Sequence, residues 1–307
     1  MGYLFLAIAL AAGITKGYCG KRTSGGIREA SDSMAVNVLR MALCAVIGLF
    51  LVLLTEGGGS LAVGNSTLAL SALSGVASSL FVVTWLLSVR VGAYMMVEIF
   101  LLLGTVVPIA LSFFFFDERI TLLQAFGILL LLVAVYLMCT YNTGIKGRMK
   151  PISLLLLFLC GTSCGLADFS QKAFTKAGDG GSVAVFNFYT YLFAGAVLLA
   201  TYLLFRRLDI KKGAELRPPM QVIKPLFPYV LLMAVCLFLS SFFKTKAAYY
   251  LDAARLYPLN QGAAVILSLL MSALLFKEKV NLRCIVGISL AFLALLLINM
   301  DFTALFA

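Results

Sequence analysis

Eight residues carry charge inside otherwise apolar runs: Lys16, Glu98, Asp168, Lys172, Lys244, Lys246, Asp252 and Arg255. A charged side chain at the centre of a hydrocarbon layer costs at least about 2.5–3.5 kcal/mol, so each needs a polar cavity or a partner. Glu98, Asp168, Lys244 and Arg255 are read as facing a cavity. Lys21, Arg40, Lys246 and Asp252 are read as snorkelling, with buried stems and heads in the headgroup layer. The cavity candidates lean positive, with Lys16, Lys172, Lys244 and Arg255 against Glu98 and Asp168. Surplus cations in a low dielectric favour an anionic ligand, one bearing a carboxylate or phosphate.

Acid–base and metal chemistry find little support. The chain has no His, no paired carboxylates and no nucleotide-binding motif. Cys160 and Cys164 lie one helical turn apart, but two thiols without further ligands make a poor metal site. No cofactor, no metal and no enzymatic activity are expected. Solute binding is the chemistry that remains.

Polar residues recur at helical spacing around those charges. One stripe carries Tyr94, Glu98, Thr105, Pro108 and Ser112; another carries Tyr257, Gln261, Ala264, Ser268 and Ser272. Ser71, Ser74, Ser78, Trp85 and Ser88 form a third, and Gly161, Gly165, Asp168 and Lys172 a fourth. Ser240 and Lys244 are one turn apart. Small polar residues alone would indicate interhelical packing. Stripes that also hold a charge point to a polar cavity. The expected binding set is Glu98 and Arg255 on one cavity, helped by Tyr94, Tyr257, Asn260, Gln261, Trp85 and Lys244, with Asp168 and Lys16 beside them. Glu98 would take a substrate amine or a coupling proton, or neutralise Arg255 when the site is empty. Arg255 or Lys244 would hold an anionic group.

The elements that position these residues are membrane helices. Hydrophobic residues make up 62% of the chain and charged residues 12%, with a mean hydropathy of +1.05. Soluble domains carry about 25% charged residues. Lipid must therefore face most of this chain. The net charge of +11 sits in short loops, where it orients the helices and meets anionic lipid. Nucleic acid is not an expected partner. Ten segments reach the roughly 20 residues needed to span a bilayer. They are 3–20, 33–55, 67–89, 92–116, 120–140, 152–175, 182–205, 226–249, 253–276 and 281–300. The first is read as a retained helix and not a cleaved leader. No basic residue precedes its apolar run, and Gly13-x-x-x-Gly17 parallels Gly161-x-x-x-Gly165.

The chain repeats itself. Residues 113–137 align without a gap on 273–297, at an offset of 160, with identities including Phe116/Phe276, Glu118/Glu278, Gly127/Gly287 and Ala134/Ala294. The expected fold is an all-α integral membrane protein of ten transmembrane helices arranged as two five-helix repeats, 1–142 and 150–307. Five is odd, so the second repeat enters the membrane inverted. At the 160-residue offset Glu98 matches Pro258, one turn beyond Arg255, which sets Glu98 and Arg255 at similar depth. Pro108 and Pro258 are each expected to kink their helix.

Phe116-Asp-Glu118-Arg-Ile120 with Gly127, and Phe276-Lys-Glu278-Lys-Val280 with Gly287, resemble the drug/metabolite transporter superfamily in its ten-helix form with paired EamA-type domains. The second half is also similar to the small multidrug resistance branch. The resemblance implies alternating access through a central cavity walled by the segments at 3–20, 67–89, 92–116, 152–175, 226–249 and 253–276. It assigns Glu118 and Glu278 to a structural turn, not to substrate.

The expected function is secondary active transport, as exporter or exchanger, of a small organic metabolite, anionic or zwitterionic, across the plasma membrane. Multidrug or cation efflux of the small multidrug resistance type is one alternative, and a non-transporting accessory protein is another. Solute and lipid are the expected partners, a coupling proton is a candidate, and oligomeric state is open.

Basic residues crowd the loops after the first, fifth, seventh and ninth segments. By the positive-inside rule those loops are cytoplasmic and both termini lie outside, whereas family habit puts both termini inside. The loop from Arg206 to Lys224 holds six basic residues against Asp209 and Glu215. It is predicted to be cytoplasmic, so cysteines placed there should resist an impermeant thiol reagent in intact cells. Labelling from outside would show that the family orientation holds and the charge rule misleads.

Overall fold

The computed structural model describes residues 1–27, 30–91, 94–118, 120–139, 151–211, 218–275 and 282–299. Eleven α-helices account for nearly all of them: α1 (Gly2–Ser24), α2 (Ala30–Thr55), α3 (Asn65–Val91), α4 (Tyr94–Gly104), α5 (Val106–Phe116), α6 (Leu122–Cys139), α7 (Pro151–Ala177), α8 (Val183–Lys211), α9 (Pro219–Ala248), α10 (Ala253–Leu275) and α11 (Leu282–Asn299). A single 3-10 turn, Gly58–Leu61, lies between α2 and α3. The long helices α1, α2, α3, α7, α8 and α9 are apolar and long enough to cross a bilayer, by length and composition alone. Their outward faces carry exposed Leu, Val and Phe, the surface that lipid and not water would cover.

The fourth expected span, 92–116, is present as two helices that meet at Thr105. Pro108 has no N–H to give the Gly104 carbonyl. The chain tightens there, with the Thr105 N–H donating to Leu102 O at 3.1 Å and its Oγ1 to the same oxygen at 2.7 Å. Pro258 behaves differently from expectation: α10 runs through it unbroken. It lies near the N-terminal end of that helix, where few turns precede the ring and little ladder is lost.

Packing is built on close approach. α1 lies on α9, α3 on α7, α2 on α8, α6 on α11, and α4 on both α7 and α10. A Cβ on Gly104 would collide with the Gly161 carbonyl, and a Cβ on Gly165 with the Gly104 carbonyl. These glycines therefore bring the α4 and α7 backbones into contact, as small-x-x-x-small pairs do in membranes. At the start of α6 the Thr121 N–H donates to Gln124 Oε1 at 3.0 Å and the Gln124 N–H to Thr121 Oγ1 at 3.2 Å. This reciprocal cap satisfies two of the helix's orphan groups.

Just before that cap the chain turns at Asp117, whose φ of 51° is left-handed. The turn carries Glu118 into the other half of the molecule. Glu118 Oε2 accepts the Ala253 N–H at 2.9 Å, at the first residue of α10. Its Oε1 lies 3.0 Å from Lys172 Nζ and 3.7 Å from Lys176 Nζ. Lys172 also donates to Ala248 O at 3.1 Å and Leu251 O at 2.8 Å, at the end of α9. An anion thus caps the N-terminus of α10, and a cation caps the C-terminal end of α9 just upstream. The turn role expected of Glu118 acquires a mechanism. Its counterpart Glu278 lies outside the described residues.

Lys172 is 2% exposed and Glu118 is 11% exposed. Removing one partner of so buried a pair costs roughly 3–5 kcal/mol, because the other charge is stranded. Glu118→Gln should therefore lower the thermal unfolding temperature in detergent, and Glu118→Gln combined with Lys172→Met should recover most of the loss. A double variant no more stable than the single one would contradict this account of the turn.

Candidate functional site

The bundle holds a cavity that is partly open to the outside. Residues of α1, α3, α7, α9 and α10 form its walls, with one residue each from α2, α4 and α8: Met41, Leu101 and Tyr191. Among the described residues Lys16, Asp168 and Lys244 are its charged lining, two cations to one anion.

Each wall presents its polar stripe. On α7, Asp168 and Gln171 point into the space while Gly161 and Gly165 on the neighbouring turns press against α4. On α9, Ser240, Ser241 and Lys244 span one turn of the lining. On α10 the lining is Asn260, Gln261, Ala264 and Ser268. On α3 the expected stripe divides. Ser78 and Trp85 line the cavity, whereas Ser71 Oγ donates to Phe186 O of α8 at 3.4 Å.

At the heart of the site Lys244 donates through Nζ to Asp168 Oδ1. Asp168 is 3% exposed and Lys244 14%. Neither charge could be carried there without the other or a ligand. The Tyr257 hydroxyl donates to the Asp168 carbonyl at 2.6 Å, tying α10 to α7 at that level. Beside the pair, Gln171 Nε2 donates to Ser241 Oγ at 3.1 Å, and Ser241 Oγ donates to Asn187 Oδ1 of α8 at 2.7 Å. Asn260 Nδ2 donates to Gln261 Oε1 at 3.1 Å. Amide and hydroxyl groups thus surround an ion pair. That arrangement can trade internal hydrogen bonds for bonds to a polar solute.

Lys16 approaches from the other wall. Its Nζ lies 5.6 Å from the Phe81 ring centroid and 5.8 Å from that of Trp85, within range of cation–π attraction. The Trp85 indole is held by α1, since a Cβ on Gly20 would run into its ring.

Of the residues singled out from sequence, Lys16, Trp85, Asp168, Lys244, Asn260 and Gln261 meet in this one cavity. Arg255 is half-buried in the first turn of α10 and is not among the lining residues. Tyr257 is fully buried and reaches the site only through its bond to Asp168. The side chains of Glu98 and Tyr94 lie outside the described residues; their backbone belongs to α4. Lys172, counted with the cavity cations, is drawn away to the α9–α10 turn. Arg40, read as snorkelling, is 1% exposed. It lies ten residues, about 15 Å, inside α2, too deep for its head to reach a membrane surface. Gln171, Asn187 and Tyr191 were not singled out. Of these only Asn187 has an echo elsewhere in the chain: it and Asn37 each donate to the carbonyl four residues back.

The described residues hold no cluster of three or more His, Cys, Asp or Glu that could bind a metal. No curated protein matches the sequence. One solved crystal structure of a protein superposes with a TM-score of 0.69, covering 97% of this chain and 96% of its own, at 12% identity. At that identity the likeness speaks for the fold alone. The model of the EamA-like transporter family matches residues 151–300. With a membrane-spanning helical bundle around a charged cavity, the chain is a multi-pass membrane protein whose residues 151–300 match the EamA-like transporter family, a match consistent with the drug/metabolite transporter superfamily.

Proposed function

We propose that this protein is a secondary active transporter of the plasma membrane that moves a small anionic or zwitterionic organic metabolite by alternating access, as exporter or exchanger. The carrying observation is the Asp168–Lys244 pair set among amides and hydroxyls in the central cavity. A purely structural subunit has no use for charges in an internal space, since apolar packing there would be at least as stable. In the proposed cycle a solute carboxylate or phosphate takes over Lys244, and a solute amine takes over Asp168. Lys16, Trp85, Asn260 and Gln261 complete the contacts. Asp168, freed from Lys244, is the candidate for a coupling proton, together with Glu98. Efflux of lipophilic cations fits less well, because the described lining sets two cations, Lys16 and Lys244, against Asp168.

Alternating access is proposed to arise from two inverted five-helix repeats, 1–142 and 150–307. Support comes from the helix pairings. Exchange α1 with α7, α2 with α8, α3 with α9, α4 and α5 with α10, and α6 with α11. The pairs α1·α9 and α3·α7 then trade places, as do α2·α9 and α3·α8, while α2·α8 and α6·α11 map onto themselves. A bundle with that exchange symmetry has two equivalent ways to close around one site.

The purified protein, screened against a metabolite library by thermal stability, should be stabilised by its solute, since a ligand that binds only the folded state raises apparent stability. That solute should cross liposomes containing this protein alone and should change the emission of Trp85, the only tryptophan in the chain. Absence of protein-dependent flux for every stabilising solute would overturn the transport reading.

A further inference from the structure

One buried charge takes no part in the site described so far. Arg40 is 1% exposed in the middle of α2, and neither its Nε nor its Nη1 has a hydrogen-bond partner. Among the described residues no carboxylate lies within ion-pair distance of it. Its electrostatic neighbours are the Cys44 thiol on α2 and the Tyr191 hydroxyl on α8. Both are committed elsewhere: Cys44 Sγ donates to Ala234 O at 3.3 Å, and Tyr191 donates to Leu237 O at 3.3 Å. One turn away, Asn37 Oδ1 is buried and unpartnered as well, while its Nδ2 donates to Val82 O at 3.2 Å.

Met41, Val82 and Tyr191 are cavity-lining residues. Arg40 precedes the first in sequence and neighbours the third in space, so it stands immediately behind the cavity wall. A stranded guanidinium is among the most expensive groups to keep in a protein interior, and an apolar side chain of like length would pack there at lower cost. Packing does not account for it. A guanidinium presents parallel N–H groups that match the two oxygens of a carboxylate or phosphate.

We propose that Arg40 is the oxyanion-binding residue of the cavity. A solute carboxylate or phosphate docks on its guanidinium once Met41 and Tyr191 part, in a state of the cycle other than the one seen here. Lys16 and Lys244 then draw the solute into the cavity, and Arg40 holds its anionic end at the wall formed by α2 and α8. This inference rests on the transport reading and deepens it by naming an oxyanion as the recognised group.

The test uses the full-length protein in detergent, with thermal unfolding followed against inorganic phosphate or succinate, and chloride at matched ionic strength as reference. Wild type should be stabilised by at least one of the two oxyanions. Arg40→Met should unfold at a higher temperature than wild type without ligand and should lose the oxyanion-dependent shift. Arg40→Lys keeps the charge but not the fork, and should bind the oxyanion about tenfold more weakly or worse. An unchanged shift in Arg40→Met, unchanged affinity in Arg40→Lys, or no oxyanion shift in wild type would overturn the assignment. Flux separates this outcome from the wider reading. A transported solute with no oxyanion effect sinks only the role of Arg40. An Arg40-dependent shift without flux of any solute leaves the anion site standing and sinks transport.

Discussion

Charge can be carried through the middle of this bundle only where something answers it, and the ends of helices supply much of that answer. Glu118 and Lys172 are the clearest case. The carboxylate caps the N-terminus of α10, the ammonium caps the last carbonyls of α9, and the two meet at 3.0 Å. The orphan groups that every helix leaves at its ends are thereby satisfied by charges that need partners of their own. The reverse contact exists too. Asp179, in the α7–α8 connection, accepts the Ser66 N–H in the first turn of α3 at 3.0 Å, and its own N–H donates to Thr67 Oγ1 at 3.3 Å. Gly64 leaves room for that carboxylate, which a Cβ would strike. Each half of the chain lends an acidic residue to a helix of the other.

Against that background the Asp168–Lys244 pair is distinct. It caps nothing. It lies in an open space, with Lys244 more exposed than Lys172 and ringed by groups that can rotate toward a ligand. A pair locked to helix ends resists exchange, whereas a pair in a cavity can be prised apart by a solute that offers both charges replacements. Arg40 is a third kind, a buried cation with no carboxylate partner among the described residues, and the oxyanion-bound state proposed for it is one that answers its charge.

Much of this was legible in the sequence because bilayer physics is simple. Apolar length located the spans, and the charged stripes located the cavity walls: Asp168, Lys244, Asn260, Gln261, Trp85 and Lys16 all reach one space. The Gly161-x-x-x-Gly165 spacing anticipated a close helix contact, though not its partner Gly104. What stayed hidden depends on tertiary meetings that spacing does not encode. Glu118 and Ala253 are 135 residues apart, and nothing local says that one caps the other. Lys172 shares a face with Asp168 yet serves a different purpose, because the α9–α10 turn intercepts it. Arg40 looked like a snorkelling residue because a stretch of sequence does not reveal which helices will cover it. Pro108 divides its helix and Pro258 does not, a difference set by distance from the helix start.

The central claim is that one buried ion pair holds the fold while the other handles solute, and paired neutralisation tests it directly. Glu118→Gln with Lys172→Met, and Asp168→Asn with Lys244→Met, would each be reconstituted in liposomes after confirming insertion and unfolding temperature. Initial flux of the stabilising solute would then be compared with wild type. The account predicts that the first double variant keeps flux of the same order as wild type. The second should fold as stably as wild type and transport at background rate. Wild-type flux from the Asp168→Asn, Lys244→Met protein would contradict it.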